Sequence, residues 1–306
     1  MSELLDPRND FLFKRIFGSE ENKDVLLAFL NTTFVETGAQ PLTEIILLNT
    51  YTDKDAPHDK QSILDIRGKT ADGELINVEM QLFNKYETEK RTMFYWSKLY
   101  SGQLQESQPY KALKKCVTIN ILNYSILPNE QYHNVFHLRE DRTGIPLIDD
   151  LELHFLELPK LGDQAVPIEG GGLVNWLLFL KGVDKSHWEV LTMNEPVLKK
   201  AMNTLEFLSQ DAETRRLYEA RQKYLHDEAS LIDGAMTEGR NRGLIEGRAE
   251  GLKEGKIEGR AEGLIEGKVA AKIEMARELL SLGIDIAAIA KASGLTEDEI
   301  RNLKTS

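Results

Sequence analysis

Apolar and polar residues alternate with period two in two runs on either side of Ala71-Asp72-Gly73, within the stretch ILDIRGKTADGELINVEMQL. Leu64, Ile66, Ile76, Val78, Met80 and Leu82 share one parity, while Asp65, Arg67, Asn77, Glu79 and Gln81 share the other. That alternation predicts a β-hairpin with one core face and one polar face. A two-residue turn on Asp72-Gly73 would put Asp65 and Glu79 on opposite faces. A three-residue loop with Gly73 left-handed is also a favoured hairpin, and it sets Asp65 across from Glu79 and Ile63 across from Gln81. Only the second register buries all the apolar residues together, so it is the one expected.

Helical spacing appears before the hairpin in FLFKRIF, with Phe13, Ile16 and Phe17 inward, and again at Val25, Leu26, Phe29 and Leu30 after a Ser19 N-cap. The unbroken apolar run Ile45 to Tyr51 reads as a buried strand, followed by a polar loop from Thr52 to Lys60. After the hairpin, Glu87 to Glu106 reads as a helix with Met93, Trp96, Leu99, Tyr100 and Leu104 inward. KCVTINIL follows as a strand, completing a parallel crossover. Further strands are expected at Asn134 to Arg139 and Leu151 to Leu158, a plain connection around Gly170-Gly171-Gly172, and helices from Leu173 to about Ala235. The prediction is an α/β fold: a mixed sheet core in the order αβββαβ, with a helical extension and a helical C-terminal tail.

Residues 1–235 form the expected first domain. Glycine then recurs every fourth residue from Gly239 to Gly267, mostly preceded by Glu. Each Gly costs a helix about 1 kcal/mol relative to Ala, and the Glu row at i, i+4 adds repulsion. Residues 236–268 therefore read as a weak helix. The favoured reading is a solvated spacer; the other is a stripe that lets helices approach in a homo-oligomer. Residues 269–306 read as a small helical module, with Gly283 and Gly294 as stops, Asp285 as a cap and Thr296 to Glu299 as a capping box. Three short helices fit a helix-turn-helix, but the acidic start of the last one favours a packing or self-association module.

The chain has 306 residues and a formal charge of −12, which argues against binding nucleic acid over its whole surface. One cysteine excludes a disulfide framework and a thiolate metal site. No segment reads as a signal peptide or a membrane span, so a cytoplasmic location without membrane attachment is expected. The histidines, His133 and His137 included, make no recognisable site. Facing carboxylates on neighbouring strands repel unless a cation lies between them. Hard oxygen ligands suit Mg²⁺ or Mn²⁺.

The order of elements around Asp65 and Glu79 resembles the PD-(D/E)xK nuclease core, and more closely one branch. NDFLFKRIFGSEENKDVLLAFLN, LDIRGKTADGELINVEMQ, RTMFYWSKLYSGQL and LHFLELPK, with the glycine-repeat tail, resemble the recombination-promoting nuclease (Rpn) family of PD-(D/E)XK transposases. The resemblance implies a restriction-endonuclease-like fold and a Mg²⁺-dependent DNA endonuclease linked to recombination or mobile elements. It implies Asp65, Glu79 and the Met80 carbonyl as metal ligands. It also puts Gln81 in the place of the usual lysine, orienting water but carrying no charge. Lys14 and Lys160 are candidates to supply that charge. Arg91, Tyr95 and Lys98 share a helical face suited to DNA phosphates, in a basic region with Lys90, Lys111, Lys114 and Lys115. The competing reading is a non-catalytic, self-associating interaction protein derived from such a nuclease. Full transposition lacks a separate basic domain to recognise element ends.

Overall fold

The computed structural model describes residues 3–49, 65–84, 87–162, 171–182, 187–193 and 195–304. The polar loop from Thr52 to Lys60 lies outside the described residues, as do Ile63 and Leu64 of the hairpin. Two compact units divide the chain, Met1–Ser230 and Leu231–Ser306.

In the first unit, helices α1 (Asp10–Phe17) and α2 (Lys23–Glu36) precede strands β1 (Ile45–Leu48), β2 (Ile66–Thr70) and β3 (Leu75–Gln81). Helix α3 (Thr88–Ser101) then leads to β4 (Cys116–Leu122), β5 (His133–His137) and β6 (Leu151–Glu157). Helices α4 (Leu173–Lys181), α5 (Trp188–Thr192) and α6 (Pro196–Gln210) follow, and α7 (Ala212–Ser281) begins here. The strands form one mixed sheet in the order β1-β2-β3-β4-β6-β5. β1, β2 and β3 pair antiparallel, β3, β4 and β6 parallel, and β5 antiparallel to β6. The expected parallel crossover through α3 is present.

One sheet face carries the main core. Ile66, Ile76, Val78, Met80, Val117, Ile119 and Ile121 pack there with Phe13 and Ile16 of α1, Phe29 of α2 and Trp176 of α4. Phe17, Phe29 and Trp176 form a triangle with ring centroids 5.6–6.0 Å apart. Helix α3 covers part of the other face, where Leu99 and Cys116 pack with Leu75, Trp96 and Tyr100.

Three local expectations change. β1 is the edge of the sheet, and Ile45 is buried while Ile46 is 47 % exposed. Met93 points outward, and Thr88 and Thr92 take the buried side of α3. Ser19 makes no capping bond, because the turn Glu20–Asn22 intervenes before α2. The side-chain cap in this region is Asn9, which accepts from the Phe11 N–H at the start of α1.

In the second unit the glycine repeat is helical throughout, as part of α7. No proline follows Pro196 to end it, and nothing lies within 4 Å of a Cβ built at Gly239 to Gly267. Each step of four residues overshoots a full turn by about 40°, so the glycines wind around the helix instead of lining one side. Beyond the repeat, Ala276, Ile289 and Ile300 form a small core between the end of α7, α8 (Ile286–Ser293) and α9 (Glu297–Lys304). Asp285 caps α8, Gly294 closes it left-handed, and Thr296 and Glu299 make the reciprocal capping box. No helix among the described residues is long and apolar enough to cross a membrane.

Candidate active site

The hairpin register sets the geometry of the site. Gly73 adopts φ +88°, its N–H donates to the Thr70 carbonyl at 3.0 Å, and the Thr70 N–H donates to Glu74 at 2.9 Å. With three residues in the loop, Ile66 pairs with Val78 and Arg67 with Asn77. One step on, Asp65 stands opposite Glu79. Its N–H donates to Glu79 Oε1 at 3.4 Å, and Asp65 Oδ2 accepts from the Met80 N–H at 2.9 Å. A strand residue sends its N–H and C=O to the same neighbour, so the Met80 carbonyl also leaves on the Asp65 side.

Glu79 is buried and Asp65 partly buried. Glu79 is 6 % exposed and accepts from Asn77 Nδ2 at 3.3 Å. Burial, then the negative charge of Asp65, pushes the Glu79 carboxyl up to about 8. Burial also raises Asp65, against the opposing pull of the Lys14 ammonium 3.1 Å away and the Met80 N–H. Lys14 reaches this pair from α1. Lys160 does not; it is held by Glu157 at 2.5 Å and by the Leu127 carbonyl at 3.0 Å.

A chain of hydrogen bonds orients Gln81. Asn120 Nδ2 donates to the His154 backbone carbonyl at 3.3 Å, which can only accept. Asn120 Oδ1 is thereby turned to receive Gln81 Nε2 at 3.4 Å and Thr92 Oγ1 at 3.0 Å. Gln81 Oε1 then faces Tyr124, whose hydroxyl donates to it at 2.7 Å, and Tyr124 lies 2.9 Å from Thr88 Oγ1. One carbonyl thus fixes which end of each amide points where. Gln81 keeps one amide N–H outside this chain, so toward the cavity it lines it acts as a donor.

Asp65, Glu79 and Gln81 open into a cavity of about 200 Å³ that Arg91 and Tyr95 also line. The Arg91 guanidinium lies 5.9 Å from the Tyr95 ring centre. Its buried Nε has no hydrogen-bond partner among the described residues. Lys98 is not part of this cavity; it lines a separate groove further along α3.

Asp10 also lines the carboxylate cavity, and the sequence reading passed it over. Its i, i+4 relation to Lys14 on an amphipathic helix was the available signal. Asp10 is held by Arg221 of α7, with Nε to Oδ1 at 2.8 Å; no local pattern announces a partner 211 residues away.

The histidines are better organised than expected. His133 and His154 meet at 2.9 Å, and His154 and His137 both contact Glu152. His137, Asp149 and Glu152 bring potential ligand atoms within 4.8 Å of one another. The Lys115 ammonium already neutralises that pair, 2.6 Å from Glu152 and 2.9 Å from Asp149. Glu152 is in register with Val117 and Ile76, so it lies on the sheet face away from Glu79.

Residues 7–235 match the family model described as PD-(D/E)XK nuclease family transposase. The chain belongs to that family. Its mixed sheet with flanking helices is the restriction-endonuclease-like fold of PD-(D/E)XK nucleases. Residues 270–305 of this nuclease-family transposase match the C-terminal HTH domain of the Rpn/YhgA-like nuclease family. That match corrects the preference for a plain packing module, which rested on the acidic residues opening α9. No curated protein and no solved structure matches the chain.

Proposed function

We propose that this member of the PD-(D/E)XK nuclease family is a Mg²⁺-dependent DNA endonuclease, able to use Mn²⁺, that hydrolyses phosphodiester bonds and acts in recombination or on mobile elements. The observation that carries this reading is the pair of facing carboxylates, Asp65 partly buried and Glu79 buried. Two such anions are unstable together without an added cation, and the Lys14 ammonium pairs with Asp65. The donor set is hard oxygen, which fits Mg²⁺ or Mn²⁺. Asp65, Glu79 and the Met80 carbonyl would hold the ion, which when bound neutralises phosphate charge and lowers the pKa of water.

The chain's own side chains supply the rest. Gln81 donates its remaining N–H to the attacking water or to a phosphate oxygen, as its amide orientation dictates. Arg91, which lines the cavity, offers its guanidinium to a non-bridging phosphate oxygen. Tyr95 closes the wall beside it, and the Lys14 ammonium favours the ionised form of Asp65 against the effect of burial. Lys98 contacts the DNA backbone outside the cavity. The C-terminal helices add DNA contacts of their own, and the protein works in the cytoplasm.

Nicking of supercoiled plasmid by the purified chain tests this reading. Activity should require Mg²⁺ or Mn²⁺ and vanish in Asp65→Ala and Glu79→Ala. Nicking that survives either substitution refutes it. A wild-type chain that binds DNA but never cleaves it would favour a non-catalytic interaction protein.

A further inference from the structure

A groove of about 660 Å³ lies between the hairpin turn and the end of α3. Arg67, Lys69, Lys98 and Lys114 line it, and no carboxylate among the described residues does. In a chain of formal charge −12, a concave surface with four cations and no acid is a local reversal of sign. Such clefts concentrate anions.

Its place relative to Asp65 and Glu79 follows from the register. Asp65, Arg67 and Lys69 alternate onto one face of the hairpin, paired across from Asn77 and Leu75. Four residues of strand at about 3.3 Å each put Lys69 about 13 Å from Asp65. At roughly 3.4 Å of duplex axis per nucleotide, that is about four nucleotides. Helix α3 runs along the same face. Arg91 and Tyr95 line the carboxylate cavity, while Lys98, three residues further, lines the groove. Lys69 and Lys114 are exposed and form no ion pair among the described residues.

We propose that this groove is a binding track for the phosphodiester backbone of nucleic acid, holding the strand that leads away from the carboxylate cavity. The proposal rests on the nuclease reading for its direction, but binding is measured apart from cleavage. Lys69 and Lys114 contact phosphates as point charges, and Arg67 and Lys98 complete the track. Affinity there is independent of base sequence and strongly dependent on salt.

The test uses the full chain in EDTA, so that no cleavage occurs, with a fluorescent 20-base-pair duplex followed by anisotropy across a salt series. Lys69→Ala and Lys114→Ala should each weaken binding about threefold to tenfold. The slope of log affinity against log salt should fall by about 0.9 for each cation removed. Lys69→Arg should retain the wild-type slope, and Lys199→Ala, which removes an exposed charge on α6, should leave affinity within twofold. A double Lys69→Ala/Lys114→Ala variant with the wild-type slope overturns the proposal, as does a wild-type chain that does not bind the duplex. Complete displacement of the duplex by millimolar inorganic phosphate also overturns it, because the groove would then be a small-anion site. A lower slope in a protein that never nicks plasmid leaves the track standing and refutes the nuclease reading. An unchanged slope with Asp65-dependent nicking does the reverse.

Discussion

At neutral pH the Asp65–Glu79 pair should hold one proton that a divalent cation must expel. Burial and the facing charge of Asp65 put the Glu79 carboxyl at about 8. Only about one molecule in a hundred is then ionised at Glu79 at pH 6, about one in ten at pH 7 and about half at pH 8. Metal binding needs the ionised form, so apparent affinity should rise about tenfold per pH unit from 6 toward 8 and then level off. The sign for the metal-free fold is the opposite. An acid whose folded value lies above its ordinary 4.5 contributes stability that is fully present below 4.5 and is lost as pH rises through about 8. Calorimetric titration of Mn²⁺ at pH 6, 7 and 8, in two buffers of different ionisation enthalpy, reads both affinity and protons released. About one proton should leave per ion at pH 7, and none from Glu79→Gln. Affinity that is flat between pH 6 and 8, with no proton released, would refute this reasoning.

Tyr124→Phe removes the hydroxyl that holds Gln81 Oε1. Freed to rotate, Gln81 should lose its catalytic orientation, lowering kcat about tenfold, or about 1.4 kcal/mol, with KM nearly unchanged in steady-state cleavage assays. In the aromatic core, Trp176→Ala should cost about 3–5 kcal/mol in urea unfolding, since Trp176 is fully buried against Phe17 and Phe29. Gly68→Ala sets a Cβ 2.5 Å from Ile45 Cδ1; moving that buried side chain should cost about 1–3 kcal/mol, read as a lowered Tm.

The parts of the fold that were legible in the sequence are those set by local chemistry. Gly73 fixed the loop length, and loop length fixed which face Asp65 shares with Glu79. The spacing of Phe13, Ile16 and Phe17, the cap at Asp285 and the box at Thr296 are likewise short-range signals. The Gln81 chain was not legible. It depends on the parallel register that sets Asn120 beside Glu79 and on Tyr124 folding back over the strand end, and neither residue type advertises its partner. Asp10 and Arg221 meet only because α7 returns to the start of α1. β1 was misread as buried because an apolar run does not tell whether both faces are covered: Ile45 packs in the main core, while Ile46 on the opposite face is exposed. For the tail, propensity speaks only to how weak the helix would be in isolation, and the repeat is helical throughout as part of α7.

The central claim is that Glu79, facing Asp65, is required for metal-dependent hydrolysis of DNA. It is tested most directly by the first-order cleavage rate of a labelled duplex across a Mg²⁺ titration, wild type beside Glu79→Gln, a nearly isosteric change at a buried site. The wild type should cleave at a rate that saturates with Mg²⁺, and the variant should lose at least a thousandfold, about 4 kcal/mol of barrier, at every Mg²⁺ concentration. Equal rates in the two proteins, or cleavage that persists in EDTA, would contradict it.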